Sequence, residues 1–445
     1  MENFETRGEW WLRGERSNRV AGTLKFDSAS GGMVELIGSP TGDQYPADTQ
    51  SVDTIFGFNG EEYITLKDGL FSSSDSVGEN WIAEKVFVGA PFDENIVFNK
   101  LSASFPLLEE WAEKDTIRTE PQRPPNDADF DPENFVLPSV HHEPIDPVVA
   151  DLESAEIKLT FSTKMNNSTY RSTTYTNKTR VVIEPSQELC FRRYLNYYLR
   201  NMQQFLCLGM AEPVTPKSVA GYFTRDDGSS EKVDIFTQMS HSPDVSETKH
   251  PSKYNFNPTE VDFDTAVSSW FDDLPQAQIL RNFYFGTRYN EGMYEENRLL
   301  SLVTAIESYH DAVLFPDYRI IDEERFTQFV SKFLDTLPEN DELQKRLEGL
   351  LRSIGNRPSL RSKIEKFARE YESAIDGLVN IDDLASDATN KRHTLSHGLS
   401  SDYDIMDSNT ADRLQLLIDA CLLDLVGLDS DHINKKLRTN YRYRL

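Results

Sequence analysis

The chain is short of cysteine, short of positive charge and without long apolar runs. Of its 445 residues, 3 are cysteines. Cys190, Cys207 and Cys421 are far apart and odd in number, which argues against a disulfide framework, and their apolar, helical surroundings predict buried free thiols. No stretch approaches the roughly 20 apolar residues of a membrane helix. Met1-Glu2-Asn3-Phe4-Glu5 lacks the basic and then apolar regions of a signal peptide, so a cytoplasmic protein is expected. From Glu2 to Gln238 there is no glycine-rich phosphate loop, no nucleophile elbow and no cysteine nucleophile with a partner. Nothing in that half looks catalytic, and no cofactor is called for.

Lysine and arginine number 46 against 74 aspartates and glutamates, a formal net charge of −28. Such a chain does not coat nucleic acid by charge alone. The acids are spread along its whole length, as on a solvated acidic surface; selection of a cationic partner is the competing reading. Hydrophobic residues at 38 % and aromatics at 11 % mark a folded chain, and its length predicts two or three domains.

Residues from about 20 to 100 carry short, partly alternating stretches: Val20–Phe26, Gly32–Ile37, Val52–Phe58, Glu62–Lys67 and Trp81–Val88. Turn residues separate them, and Asn59-Gly60 is a hairpin signal. Phe105–Lys114 reads as a short helix. Thr119–Pro147, rich in Pro, Asp and Asn, reads as a long loop or linker, and its His141-His142 pair as surface histidines, since adjacent side chains diverge. Strand pattern resumes at Glu156–Thr163, Arg171–Glu184, Ser218–Thr224 and Lys232–Gln238. Between them Gln187–Met210 is a helix whose aromatic stripe fits a core better than a base-stacking surface. Ser240–Asp264 reads as a second linker.

From about Thr265 the pattern is helical, with apolar repeats at three-four spacing in Arg298–Leu314, Glu323–Leu337, Asp341–Ile354, Ser359–Ser373, Ile381–His397 and Thr410–Val426. The expected fold is α+β and multidomain: an N-terminal β-rich, sandwich- or barrel-like region followed by an all-α bundle. Residues 1–118 form a first β-rich subdomain, 148–240 a second with one long helix, and 265–445 the helical domain.

The strongest chemical statement is Asn390-Lys391-Arg392-His393-Thr394-Leu395-Ser396-His397-Gly398. An imidazole moves a proton near neutral pH, and a guanidinium neutralises a phosphate that is gaining charge. Together they suffice to cleave RNA, where the nucleophile is the substrate's own 2′-hydroxyl. On an ideal helix Arg392 and His397 lie about 140° apart. They converge only where the helix bends or ends, as Gly398 allows, or where a second copy completes the site. His393 and His397 share a face, as in zinc enzymes, but Thr394 stands where those motifs carry glutamate. The pattern also fits a helix-end arginine paired with one of the many carboxylates and a partly buried histidine.

Arg392-His393-x-x-x-His397 in a helix of a C-terminal bundle resembles the signature of the HEPN ribonucleases: Arg, then Asn, Asp or His, three residues, and His. Gly8-Glu9-Trp10-Trp11-Leu12, Val20-Ala21-Gly22-Thr23-Leu24 and Val34-Glu35-Leu36-Ile37-Gly38 look like the opening of the ApeA family, which places a β-rich domain before a HEPN domain. Phe205–Gly209 with Pro213, and Leu302–His310 with Glu307, fit the same pattern. Arg13 stands where a proline would follow Leu12.

The resemblance implies metal-independent RNA cleavage leaving a 2′,3′-cyclic phosphate, with Arg392 and His397 catalytic and His393 beside them. It implies two-fold pairing of HEPN domains, release by a phage component, abortive infection as the outcome and transfer RNA as a target class. Glu307, on a facing helix, is expected to hold a histidine or arginine in place. For the approach of RNA, the basic residues Lys391, Lys435, Lys436, Arg438 and Arg442 are the candidates. The C-terminal ones equally fit a tail that docks onto the acidic body. A non-catalytic interaction protein, using the bundle for dimerisation alone, is the alternative.

Overall fold

The structure is a computed structural model that describes residues 1, 3–40, 51–74, 76–92, 96–120, 139–169, 172–225, 227–238, 249–290, 292–337, 341–397 and 408–441. At a few of these, Ser396 and His397 among them, the backbone alone is described. The chain divides into two compact units, Met1–Ser268 and Ser269–Leu445. Among the described residues no helix is long and apolar enough to cross a membrane.

The first unit begins with six antiparallel strands: β1 (Phe4–Leu12), β2 (Val20–Asp27), β3 (Gly31–Ile37), β4 (Ser51–Phe58), β5 (Tyr63–Ser74) and β6 (Gly78–Val88). They run in the order β6-β3-β2-β1-β4-β5, and β5 pairs back onto β6, closing a barrel. Closure follows from alternation. In β2, Gly22, Leu24 and Phe26 face inward between half-exposed neighbours, and Leu24 and Phe26 join Trp10, Val34 and Trp81 in the core. Glycine makes room where the core is crowded: a Cβ at Gly57 would overlap the ring of Trp10. At the β4–β5 turn Asn59 Oδ1 accepts the amides of Glu61 and Glu62 at 3.0 and 2.8 Å, and Gly60 takes φ 99°.

The sheet continues beyond the barrel through β7 (Lys100–Ser104), β8 (Val148–Leu152), β9 (Ala155–Thr169), β10 (Ser172–Pro185), β11 (Ser218–Thr224) and β12 (Ser230–Thr237). Its order is β8-β9-β10-β7-β11-β12-β6, so early and late strands interleave in one twelve-stranded sheet. The stripe from Phe191 to Met210 is helical with a π-type stretch at Tyr194–Leu199. Its Tyr198, Met202 and Phe205 are buried, as a core role requires.

Three sequence expectations change here. Phe4–Leu12 is a strand, although Thr6 and Gly8 on its inward face weaken the apolar signal. The ends of the stretch read as a linker, Ile117–Glu120 and Ser139–His142, pair as a ribbon with His141 opposite Arg118; residues 121–138 lie outside those described. Cys190 is exposed, because it precedes the helix rather than lying on its apolar stripe, while Cys207 and Cys421 are buried free thiols.

The second unit is helical: α1 (Leu274–Tyr289), α2 (Glu295–Tyr309), α3 (Glu323–Asp335), α4 (Asp341–Leu350), α5 (Leu360–Glu370), α6 (Glu372–Ile375), α7 (Ile381–His397), α8 (Ser408–Leu425) and α9 (Ser430–Asn440). Asp322, Ser359 and Asp429 cap α3, α5 and α9 through side-chain oxygens. The core joins Leu302, Val303 and Ile306 of α2 with Leu417, Ile418 and Cys421 of α8. A π-type turn, His310–Leu314, extends α2.

Candidate active site

Leu384, Ala385 and Ala388 of α7 are fully buried at helical spacing, which fixes the rotation of α7 about its axis. That rotation leaves Arg392 on the last turns with its side chain 42 % exposed. His393 next to it is exposed, and the backbone of His397 closes the helix.

The guanidinium of Arg392 does not stand alone. Its Nη2 lies 3.5 Å from Glu307 Oε2 on α2. The other oxygen of Glu307 takes Lys363 Nζ of α5 at 3.0 Å, and the same ammonium reaches Asp311 Oδ2 at 2.6 Å. Asp311 Oδ1 is 2.8 Å from His310 Nδ1. His310 is fully buried, and its Nε2 has no hydrogen-bond partner. Three helices thus converge on an alternating chain of charge: Arg392, Glu307, Lys363, Asp311, His310. The arrangement fits opposite charges to each other at the base and leaves one cation, Arg392, directed to the surface.

Burial sets the tone of this chain. It holds the His310 imidazole below its ordinary pKa, with Lys363 and Lys366 acting the same way against the raising influence of Asp311. Burial opposes the charge on Lys363, but its bonds to Asp311 and Glu307 outweigh that and raise its pKa. Burial likewise opposes the charge on Asp311, yet Lys363 and His310 pull its carboxyl below the usual range. A proton therefore leaves His310 and stays on Lys363 near neutral pH.

Residues 5–270 match the family described as ApeA N-terminal domain 1, and residues 300–432 match Apea-like HEPN. The chain belongs to the ApeA family. No curated protein and no solved structure matches it. The HEPN match contains all five members of the charge chain together with His393 and His397. HEPN domains are generally ribonucleases, and this ApeA-family chain is a HEPN-type defence protein.

The remaining basic residues of the HEPN unit fall into different settings. Lys391 Nζ donates to Thr410 Oγ1 of α8 at 2.8 Å. The C-terminal stretch is not a loose tail where it is described. It forms α9, with Leu437 and Lys436 buried and Lys435 exposed. Arg438 donates to the Asp376 carbonyl and to Asn434 Oδ1, both at 2.7 Å. Arg442 lies outside the described residues, as does Gly398. Among the described residues no group of three His, Cys, Asp or Glu side chains is placed to hold a metal ion.

Sequence reasoning did not find Lys363, Asp311 or the partnership of His310. The four-residue spacing of Glu307 and Asp311 on one helical face is the signal that could have joined them as a pair, though the sequence reading named Glu307 alone. Lys363, 56 residues from Glu307, carried no such signal.

Proposed function

We propose that this ApeA-family protein is a metal-independent endoribonuclease acting in anti-phage defence by abortive infection, cutting transfer RNA or other host RNA. The placement of Arg392 carries this reading. The arginine is half-exposed at the end of the helix that also bears His393 and His397, and a carboxylate locked by a buried lysine steadies it.

The reaction is in-line attack of a 2′-hydroxyl on the adjacent phosphorus. It expels the 5′-oxygen of the next nucleotide and leaves a 2′,3′-cyclic phosphate. His397 acts as general base or acid, an effect of about 10²–10⁴-fold. Arg392 binds the non-bridging oxygens, where charge builds in the transition state. His393 orients the phosphate or carries the second proton. Glu307 fixes the guanidinium, and Lys391 and Lys435 contact the RNA backbone. Two HEPN domains pair in the cytoplasm to complete the site, and a phage component releases its activity.

The test is purified protein with bulk transfer RNA in EDTA. Cleavage with cyclic-phosphate ends is expected, and Arg392→Ala and His397→Ala should each abolish it and the cellular toxicity while leaving the melting temperature unchanged. Wild-type cleavage by either variant removes the assignment. Activity that EDTA abolishes points to a metal hydrolase, and inert wild-type protein to a non-catalytic interaction role.

A further inference from the structure

Helices α3 and α4 of the HEPN unit carry more apolar surface than the chain itself covers. Apolar residues recur at three-four spacing in both: Phe326, Phe329, Val330 and Phe333 on α3, Leu343, Leu347 and Leu350 on α4, with Leu351 in the π-type turn that follows. Yet on α3 only Phe326 and Val330 are buried, and no described side chain of α4 is fully buried. The rings of Phe329 and Phe333 stack on each other in the open, 54 % and 38 % exposed, and Leu343 and Leu350 are exposed as well. Helices this short are marginal alone in water and gain their stability by packing an apolar stripe against something.

The exposed residues share one face. The two helices form an antiparallel hairpin: a Cβ on Gly355, past the end of α4, would stand 2.9 Å from Phe326 Cζ near the start of α3. Asn356 ties the two ends together, accepting the amides of Ile320 and Ile321 and donating to the Ile321 carbonyl. At about 100° per residue, Phe329 and Phe333 precede Phe326 and Val330 around α3 by about 60°, and Leu343 and Leu350 precede Leu347 and Leu351 around α4 by about 70°. In antiparallel neighbours, offsets of the same sense turn to the same side of the seam. Four large side chains, each about half exposed at about 150–200 Å² apiece, thus present roughly 350 Å² of apolar surface. A second copy doubles that to about 700 Å². An interface about 60 % apolar then buries about 1,100–1,200 Å², at the lower bound for specific association.

We propose that a second copy of this chain docks on this face, so that two α3–α4 hairpins related by a two-fold axis pack into a four-helix cluster. A self-complementary occupant fits the geometry. Two antiparallel helices that leave one apolar face uncovered are half of a four-helix bundle, and a copy supplies the other half with the same apolar pattern. The rest of α3 disfavours a lipid surface, since Glu323, Glu324 and Asp335 accompany Arg325 and Lys332 there in place of a basic row. The hairpin is rooted at Asn356, shortly before Ser359 caps α5, the helix whose Lys363 holds Glu307. This docking surface serves the pairing of HEPN units proposed above, and its role in cleavage rests on that reading.

Sedimentation velocity on the full chain, over about a hundredfold range of concentration, reads the association. A concentration-dependent dimer is expected for wild type, weakened about a hundredfold or more in Phe329→Glu/Leu350→Glu. Both side chains are exposed, so the far-UV dichroism and the melting temperature of the dilute protein should hold. Should that variant unfold, Phe329→Ser/Leu350→Ser gives the same readout with a smaller loss. A wild type that stays monomeric, or variants that dimerise as tightly as wild type, overturns the proposal. Flotation of a monomeric wild type with phosphatidylglycerol vesicles overturns it in favour of a lipid surface. Cleavage of transfer RNA is read on the same samples. A dimer that the variant loses, with inert wild-type protein, upholds the docking face and removes the ribonuclease reading; loss of cleavage together with the dimer upholds both.

Discussion

Arg392 Nη2 stands 3.5 Å from Glu307 Oε2 across 85 residues of chain, and that carboxylate is held from behind by Lys363. The pairing steadies the one cation of the network that faces solvent.

Glu307→Ala should therefore act twice. RNA cleavage should fall tenfold or more, because the guanidinium loses its fixed position and small displacements are costly in catalysis, with factors of about 10² on record. Stability should fall by about 1–2 kcal/mol, since Lys363 keeps only Asp311. Glu307→Gln, which keeps an acceptor, should lose less of both. Single-turnover cleavage and urea unfolding on the three proteins measure this; wild-type cleavage by Glu307→Ala would separate the carboxylate from catalysis.

His310 makes stability depend on pH. Burial holds its pKa below the ordinary 6.5. As pH falls below 6.5 the unfolded chain takes up a proton that the folded ring refuses. The contribution is thus complete above 6.5 and is lost as pH falls toward the folded pKa, with a slope of up to about 1.4 kcal/mol per unit. Asp311, also lowered, adds a loss of the same sign at more acid pH. His310→Asn keeps a donor for Asp311 and does not titrate. Its stability should fall less steeply than wild type between pH 6.5 and about 5 in urea unfolding.

Within the barrel, Gly57 and Trp10 are a matched pair. Gly57→Ala drives a methyl into the buried indole and should destabilise by about 1–3 kcal/mol. Trp10→Leu should itself cost several kcal/mol, about 3 by analogy with large-to-small core changes. The double variant should lose less than the sum. Strict additivity in a double-mutant cycle would show that the two residues do not share the space.

Tyr441 ties α9 to the bundle. Its hydroxyl donates to Asp419 Oδ2 at 2.5 Å and accepts from Gln415 Nε2 at 2.9 Å, and Tyr284 donates to the other oxygen of Asp419. Tyr441→Phe leaves a buried carboxylate short of one donor and should cost about 1–3 kcal/mol in thermal or urea unfolding. An unchanged midpoint would mean that water replaces the hydroxyl.

Local signals were readable without coordinates. Strands Val20–Asp27 and Ser51–Phe58 follow from alternation, the β4–β5 hairpin from Asn59-Gly60, and α7 and α8 from apolar residues at three-four spacing. What failed was also local. Phe4–Leu12 was missed because small residues fill its inward positions, and Cys190 was misplaced because one residue separates the apolar stripe from the turn before it. The Arg–His motif was legible as a pattern, whereas its setting was not.

Pattern and propensity act between near neighbours, so the residues alone decided that strands come first, that helices follow, and that Arg392, His393 and His397 share one helix. The closing of β5 onto β6, the interleaving of Lys100–Ser104 among strands more than 75 residues later, and the meeting of Glu307 with Lys363 and Arg392 belong to tertiary structure. Each depends on which surfaces pack once the core forms, and a carboxylate acquires its partners from that packing and not from its place in the chain.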